Sequence, residues 1–129
     1  QDCMIAVNQD NGELEWILGS PANWRAPWSD KLLAPLGDLE WQYHQHDCSV
    51  STSGTVICFD NGNHRALPFD DKMPEADCYS RAVEFLINPE RKTVEQVWCR
   101  GRVEDGTYST YQSGAVRLPN TGNTFINYG

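Results

Sequence analysis

"SRAVEFLINPERKTVEQVWCRG", residues 80–101, decides the class of fold. Val83, Phe85 and Ile87 alternate with other residues, Asn88-Pro89 breaks the run, and a second apolar stretch follows from Val94 to Trp98. Period-two alternation on both sides of turn residues predicts an antiparallel hairpin over residues 82–98. "CMIAVNQDNGELEWILG", residues 3–19, repeats the plan around Asp10-Asn11-Gly12, and predicts a hairpin over residues 3–18. Both units place a Trp shortly before a Gly.

A second kind of unit alternates with the first. "CSVSTSGTVICFDNG" (48–62) and "GAVRLPNTGNTFINYG" (114–129) each run from small residues through a Gly turn to an apolar strand that closes on Asn and Gly. The former predicts a hairpin over residues 48–59. The best helical stretch, "SDKLLAPLG", is short and interrupted by Pro35, so the chain reads as all-β. Alternating short strand units suit either a β-propeller or a β-sandwich that reuses hairpins, and the residues leave both open. Residues 20–40 form a Pro- and Trp-rich insert between strand units, in which Trp24 and Trp28, with Trp41 just beyond, are expected to cap a sheet.

Composition narrows the function. The 129 residues suffice for one modest domain, and 40% hydrophobic with 22% charged residues is the balance of a folded soluble chain. Ten basic against eighteen acidic residues give a formal charge of −8. Such a surface repels phosphate backbones, so nucleic acid is not expected as a partner. No apolar run approaches a membrane span, and no membrane partner is expected. The first residue is Gln1 rather than Met, which leads us to expect a processed chain or a piece of one. Five cysteines favour an oxidising compartment. Cys48 and Cys58 sit equally far from the turn near Ser53-Gly54, and Cys78 and Cys99 flank another hairpin. At least one of these pairs is expected to lie close enough to bridge, leaving Cys3 unpaired.

All three histidines, His44, His46 and His64, fall within residues 44–64. His44 and His46 would share a strand face, but no second ligand cluster accompanies them, so no metal is expected. Asp60-Asn61-Gly62 reads as a turn able to aim Asn61 at a ligand. Arg65 follows it as a candidate fork for an anion. Ser80-Arg81 and Arg100 with Arg102 read as charges at a sheet edge. Hydrolase elbows, phosphate loops and dinucleotide fingerprints are all missing from the sequence.

Taken in order, "WILGSPANW" (16–24), "LLAPLGDLEWQYHQHD" (32–47), "GTVICFDNGNHRALPF" (54–69), "YSRAVEFLINPERKTVEQVW" (79–98) and "GAVRLPNTGNTFINYG" (114–129) resemble the bacterial arylsulfotransferase (arylsulfate sulfotransferase) family. The most specific parts are Gln45-His46, the Phe59-Asp60-Asn61-Gly62 run with Arg65, and Tyr79-Ser80-Arg81. The resemblance implies about two blades of a six-bladed β-propeller, exported to the periplasm or secreted. It implies no cofactor, and sulfuryl transfer from a phenolic sulfate ester to a phenol acceptor through a sulfated histidine. Family members are several times longer, so the chain is expected to be an internal fragment or a truncated relative. The remainder of a longer propeller chain is then its partner. Of the family's pocket, His46 and Arg65 map as catalytic positions and Asn61 as a substrate-binding one; the resemblance does not place the nucleophilic histidine. Sulfuryl transfer needs donors converging on three oxygens, which Arg, His and Asn provide.

Overall fold

A computed structural model describes residues 2–67 and 69–129, and it is all-β with no α-helix among them. Among the described residues nine strands form: β1 (Cys3–Val7), β2 (Leu14–Gly19), β3 (Ala34–Leu36), β4 (His46–Val50), β5 (Val56–Asp60), β6 (Arg81–Asn88), β7 (Thr93–Arg100), β8 (Gly114–Arg117) and β9 (Thr124–Asn127). The three expected hairpins are present as the antiparallel pairs β1–β2, β4–β5 and β6–β7, and β8–β9 adds a fourth.

β4 to β7 run as one antiparallel meander in a five-stranded sheet of order β3-β7-β6-β5-β4. The insert does more than cap it. Trp28–Lys31 forms a short 3₁₀ turn, and β3 then pairs in parallel with the outer edge of β7, Pro35 lying opposite Val94. Pro35 lacks an N–H to donate, which suits a strand with a neighbour on one side only. Trp41 packs against the core as expected, whereas Trp28 is 53% exposed.

The sequence of β5, Val-Ile-Cys-Phe-Asp, explains the layering. All five residues are buried, so this strand has a covered surface on each side. Val56 and Cys58 project into one core with Met4 and Leu18 of the β1–β2 hairpin, Leu33, and Val83, Phe85 and Val94 of the sheet. Ile57 and Phe59 project oppositely, into a second core with Ala82 and Ala115, flanked by Trp98 and Ile126. Tyr128 closes that side edge-on to Phe59, with ring centroids 5.2 Å apart. A central sheet is thus held between two hairpins, and strict alternation assigns each β5 side chain to one of them.

Phe59→Ala should cost about 3–5 kcal/mol, because a fully buried ring leaves a cavity between two rigid layers. Phe125→Ala, at a position 57% exposed, should cost under ~1 kcal/mol. Urea unfolding of the two variants measures both.

Candidate functional site

The end of β5 carries the chemistry. Asp60, the last residue of the strand, is wholly buried, and its carboxylate collects three donors. Oδ1 accepts the Tyr43 N–H at 2.8 Å; Oδ2 accepts Nε of Arg81 at 2.8 Å and Nη2 of Arg65 at 3.1 Å. Asp60 and Arg81 face each other in the β5–β6 register, so strand pairing itself makes the second contact.

Glu40 closes the arrangement from the loop before β4. Its two carboxylate oxygens accept Arg65 Nη1 at 2.7 Å and Arg81 Nη1 at 2.9 Å, and its carbonyl accepts Arg81 Nη2 at 2.7 Å. The Tyr79 hydroxyl donates to the same carboxylate. Two guanidinium groups therefore meet two carboxylates, and the formal charge of the cluster is zero. Burial opposes the charge on Arg81, but Asp60 and Glu40 outweigh it and raise its pKa. Arg65 also lies over the Tyr79 ring, 3.7 Å from its centroid, a cation–π geometry. The Tyr79 phenol is pushed up to about 12, chiefly by burial and then by its bond to Glu40.

The expectation that Ser80 and Arg81 sit at a sheet edge is corrected here. β6 is an interior strand, both residues are buried, and the Arg81 side chain is 2% exposed. The carboxylates of Asp60 and Glu40 are what allow a charge to be held there.

Asn61 and His46 form a second constellation one residue further on. His46 Nδ1 lies 2.7 Å from Asn61 Oδ1 and 3.1 Å from the His44 carbonyl. Asn61 Nδ2 donates to the Ser109 carbonyl at 2.7 Å. The Asn61 amide is thereby fixed with its oxygen toward His46. Both neighbours of Nδ1 are acceptors, so the proton of the neutral ring sits on Nδ1 and Nε2 keeps its lone pair. His46 is an exposed residue, while Asn61 is wholly buried. Behind Asn61 stands Ser80, whose hydroxyl donates to the Asn61 carbonyl at 2.8 Å and accepts the Ser109 N–H at 2.8 Å.

The structure thus joins His46 to Asn61 directly, and Arg65 to Asp60 and Glu40 instead. Two of the Arg65 donor nitrogens are taken by carboxylates, and Nε is buried without a partner. His44 lies outside β4 with φ of 52° and does not share a strand face with His46. His44 and His64 line a separate cleft of about 350 Å³ with Asp2, Asn63, Leu67 and Lys72. Among the described residues, no three His, Cys, Asp or Glu side chains are grouped to hold a metal ion. Neither Glu40 nor Ser109 is singled out by the sequence, and Tyr79 and Ser80 stand out there only as part of a motif, with no partner assigned. An acidic residue closing a buried strand, opposite an Arg that opens the next one, was a signal for the ion pair; nothing local marks Ser109.

Gly62 lets these parts meet. Its φ is 70°, and a Cβ there would overlap the Tyr79 carbonyl and come within 3.1 Å of Arg65 Nη2. Gly62→Ala should cost more than ~2 kcal/mol, since strain and overlap add. Asp60→Ala should cost about 3–5 kcal/mol by leaving two buried guanidiniums to share the single carboxylate of Glu40. Denaturant titration reads both losses. Because the folded Tyr79 pKa of about 12 exceeds the usual ~10 of an unfolded tyrosine, its contribution to stability is complete below pH ~10. That contribution should disappear as pH rises through 12. Stability measured between pH 9 and 12 should fall in the native chain and more shallowly in Tyr79→Phe.

Comparison with known proteins adds a family. The family profile described as Arylsulfotransferase (ASST) matches residues 1–129. The protein named Arylsulfate sulfotransferase AssT from Escherichia coli O6:H1 is 27% identical over 143 residues, covering 98% of this chain and 23% of that protein. A protein of the same name from Lelliottia amnigena is 29% identical over 116 residues, covering 77% of this chain and 19% of its own length. The chain spans less than a quarter of the length of either relative.

Proposed function

Because the chain belongs to the arylsulfotransferase family, we propose that it supplies part of the pocket of an aryl sulfate sulfotransferase, in which His46 carries the sulfuryl group. The substrates are a phenolic sulfate ester and a phenol acceptor, and the protein is exported, to the periplasm or beyond. The observation that carries this reading is the orientation of His46: Nδ1 lies 2.7 Å from the Asn61 oxygen, an acceptor that in the neutral ring calls the proton to Nδ1 and leaves the Nε2 lone pair free, on an exposed residue.

Transfer then takes two displacements. Nε2 attacks the sulfur of the ester, the aryl S–O bond breaks, and its electron pair leaves on the phenolate oxygen. The sulfohistidine N–S bond breaks in turn when the acceptor phenol oxygen attacks sulfur; the acceptor proton passes to the departing phenolate or to water. Nδ1–H bonded to Asn61 keeps the ring oriented and steadies the positive charge that develops on it during attack. Arg65 has its fork filled by Asp60 and Glu40, so on this reading it fixes the Asp60–Gly62 turn and, through it, Asn61.

The architecture accords with about two blades of a six-bladed propeller. The β4–β7 meander has the strand number of one blade, and the hairpins on its two faces stand where neighbouring blades would be cut. Chain outside these residues completes the ring on this reading.

The test is turnover of 4-nitrophenyl sulfate with a phenol acceptor by the protein in its natural length, with rapid acid-free quenching. A mass increase of about 80 Da, localised by fragmentation to His46, is expected for the covalent intermediate. His46→Ala should abolish both adduct and turnover. An adduct on His44 or His64 would overturn the assignment. Arg65→Ala should lower the rate and the unfolding free energy together. A hundredfold rate loss at unchanged stability would instead put its guanidinium on the sulfuryl oxygens.

A further inference from the structure

Cys48 and Cys58 lie equally far in sequence from one turn, and the sulfuryl chemistry uses neither. In the β4–β5 register His46 faces Phe59 and Ser49 faces Ile57, with an irregularity between them. Two residues of β4, Asp47 and Cys48, therefore oppose the single residue Cys58. Asp47 has φ of 51°, the left-handed backbone found at the first residue of one class of bulge. The bulge sets Cys48 against Cys58 rather than one place beyond it.

The two thiols differ in access. Cys58 is wholly buried in the core with Met4, Leu18 and Val83. Cys48 is exposed, on the wall of a shallow groove formed with Met4, Ile5, Trp16 and Val50. Each thiol is the largest influence on the proton affinity of the other. The neighbouring Cys58 thiol lowers the pKa of Cys48, against burial and Asp47; the Cys48 thiol, and then burial, raise that of Cys58. The outer thiol is the readier nucleophile, and the inner one is placed to resolve what forms on it.

The remaining cysteines have no such neighbour. Cys78 turns its thiol to the Met73 and Pro74 carbonyls, and Cys99 sits opposite Val83 in β7. Cys3 pairs in register with Gly19 on the other hairpin.

We propose that Cys48 and Cys58 form an oxidisable dithiol site that accepts low-molecular-weight or protein disulfides. Cys48 thiolate attacks one sulfur of the incoming disulfide, that S–S bond breaks, and one thiolate leaves. Cys58 then gives up its proton and attacks the Cys48 sulfur, expelling the second thiolate. The protein is oxidised by two electrons, and the disulfide is reduced to two thiols. The product ties β4, an edge strand bonded on one side to β5, to the strand whose end leads into Asn61. The redox state of this pair thereby fixes how firmly the strand that begins at His46 is held.

The sequence offers a clean readout. Lys31 and Arg65 bound a tryptic peptide, residues 32–65, whose cysteines are Cys48 and Cys58 alone. The folded protein is incubated with oxidised glutathione at pH 8, alkylated under denaturing conditions and digested. That peptide should lose about 2 Da and take up no alkyl group, with the mass restored by dithiothreitol. Cys58→Ser should instead accumulate glutathione on Cys48, and Cys48→Ser should leave Cys58 reduced. Alkylation of both cysteines after oxidation, or a link from Cys48 to Cys3, would overturn the proposal.

Discussion

The Asp60 carboxylate is the constraint on which the rest depends. A charge wholly removed from water would be untenable without compensation, and the chain supplies it from three separate stretches. Arg81 comes from the next strand, Arg65 from the turn, and the Tyr43 N–H from the loop before β4. Glu40 then balances the second positive charge. The insert, the central meander and the turn are tied together at one point, and one residue later the chain presents Asn61 to His46. The polar knot and the exposed imidazole are consecutive consequences of where β5 ends.

That knot also explains how buried charge coexists with a well-filled interior. Asp60 closes β5, so the strand delivers apolar side chains to two cores before it reaches the charged end. Glu84 repeats the idea on β6: its carboxylate takes the Thr55 hydroxyl and the Arg117 guanidinium, which in turn lies 5.0 Å from the Trp98 ring. In both places a carboxylate inside the sheet is met by an arginine from a neighbouring element. Each arginine contributes direction as well as charge, since its planar fork fits only one approach.

The strands were legible in the sequence because alternation and turn chemistry are local. Val83, Phe85 and Ile87 declare a face by themselves, and Asp10-Asn11-Gly12 declares a reversal. The parallel pairing of β3 with β7 was not legible: Ala-Pro-Leu has no alternation to show, and its partner lies some sixty residues on. His46 and Asn61 stand out as candidates through motifs, and their contact follows from the β4–β5 hairpin. The environment of Arg65 could not be read in advance, because a surface fork and a buried counter-ion look alike until the positions of Asp60 and Glu40 are known. Arg81 looks like an edge charge for the same reason, since nothing in Ser-Arg-Ala says that the strand is interior.

The late partner of β3 has a further meaning for a chain made from its N-terminus. Leu33 and the Trp41 ring belong to a core that is completed only by Val83, Phe85 and Val94, and the Glu40 carboxylate gains its second arginine only with Arg81. As the polypeptide leaves the ribosome, the β1–β2 hairpin can close at once. The stretch after it emerges apolar and without its partners for the time needed to make another half of the chain. During that interval it is the part of the molecule most open to non-native association. The ordering of the sheet therefore places the hazard of this fold in the segment that leads into the candidate site.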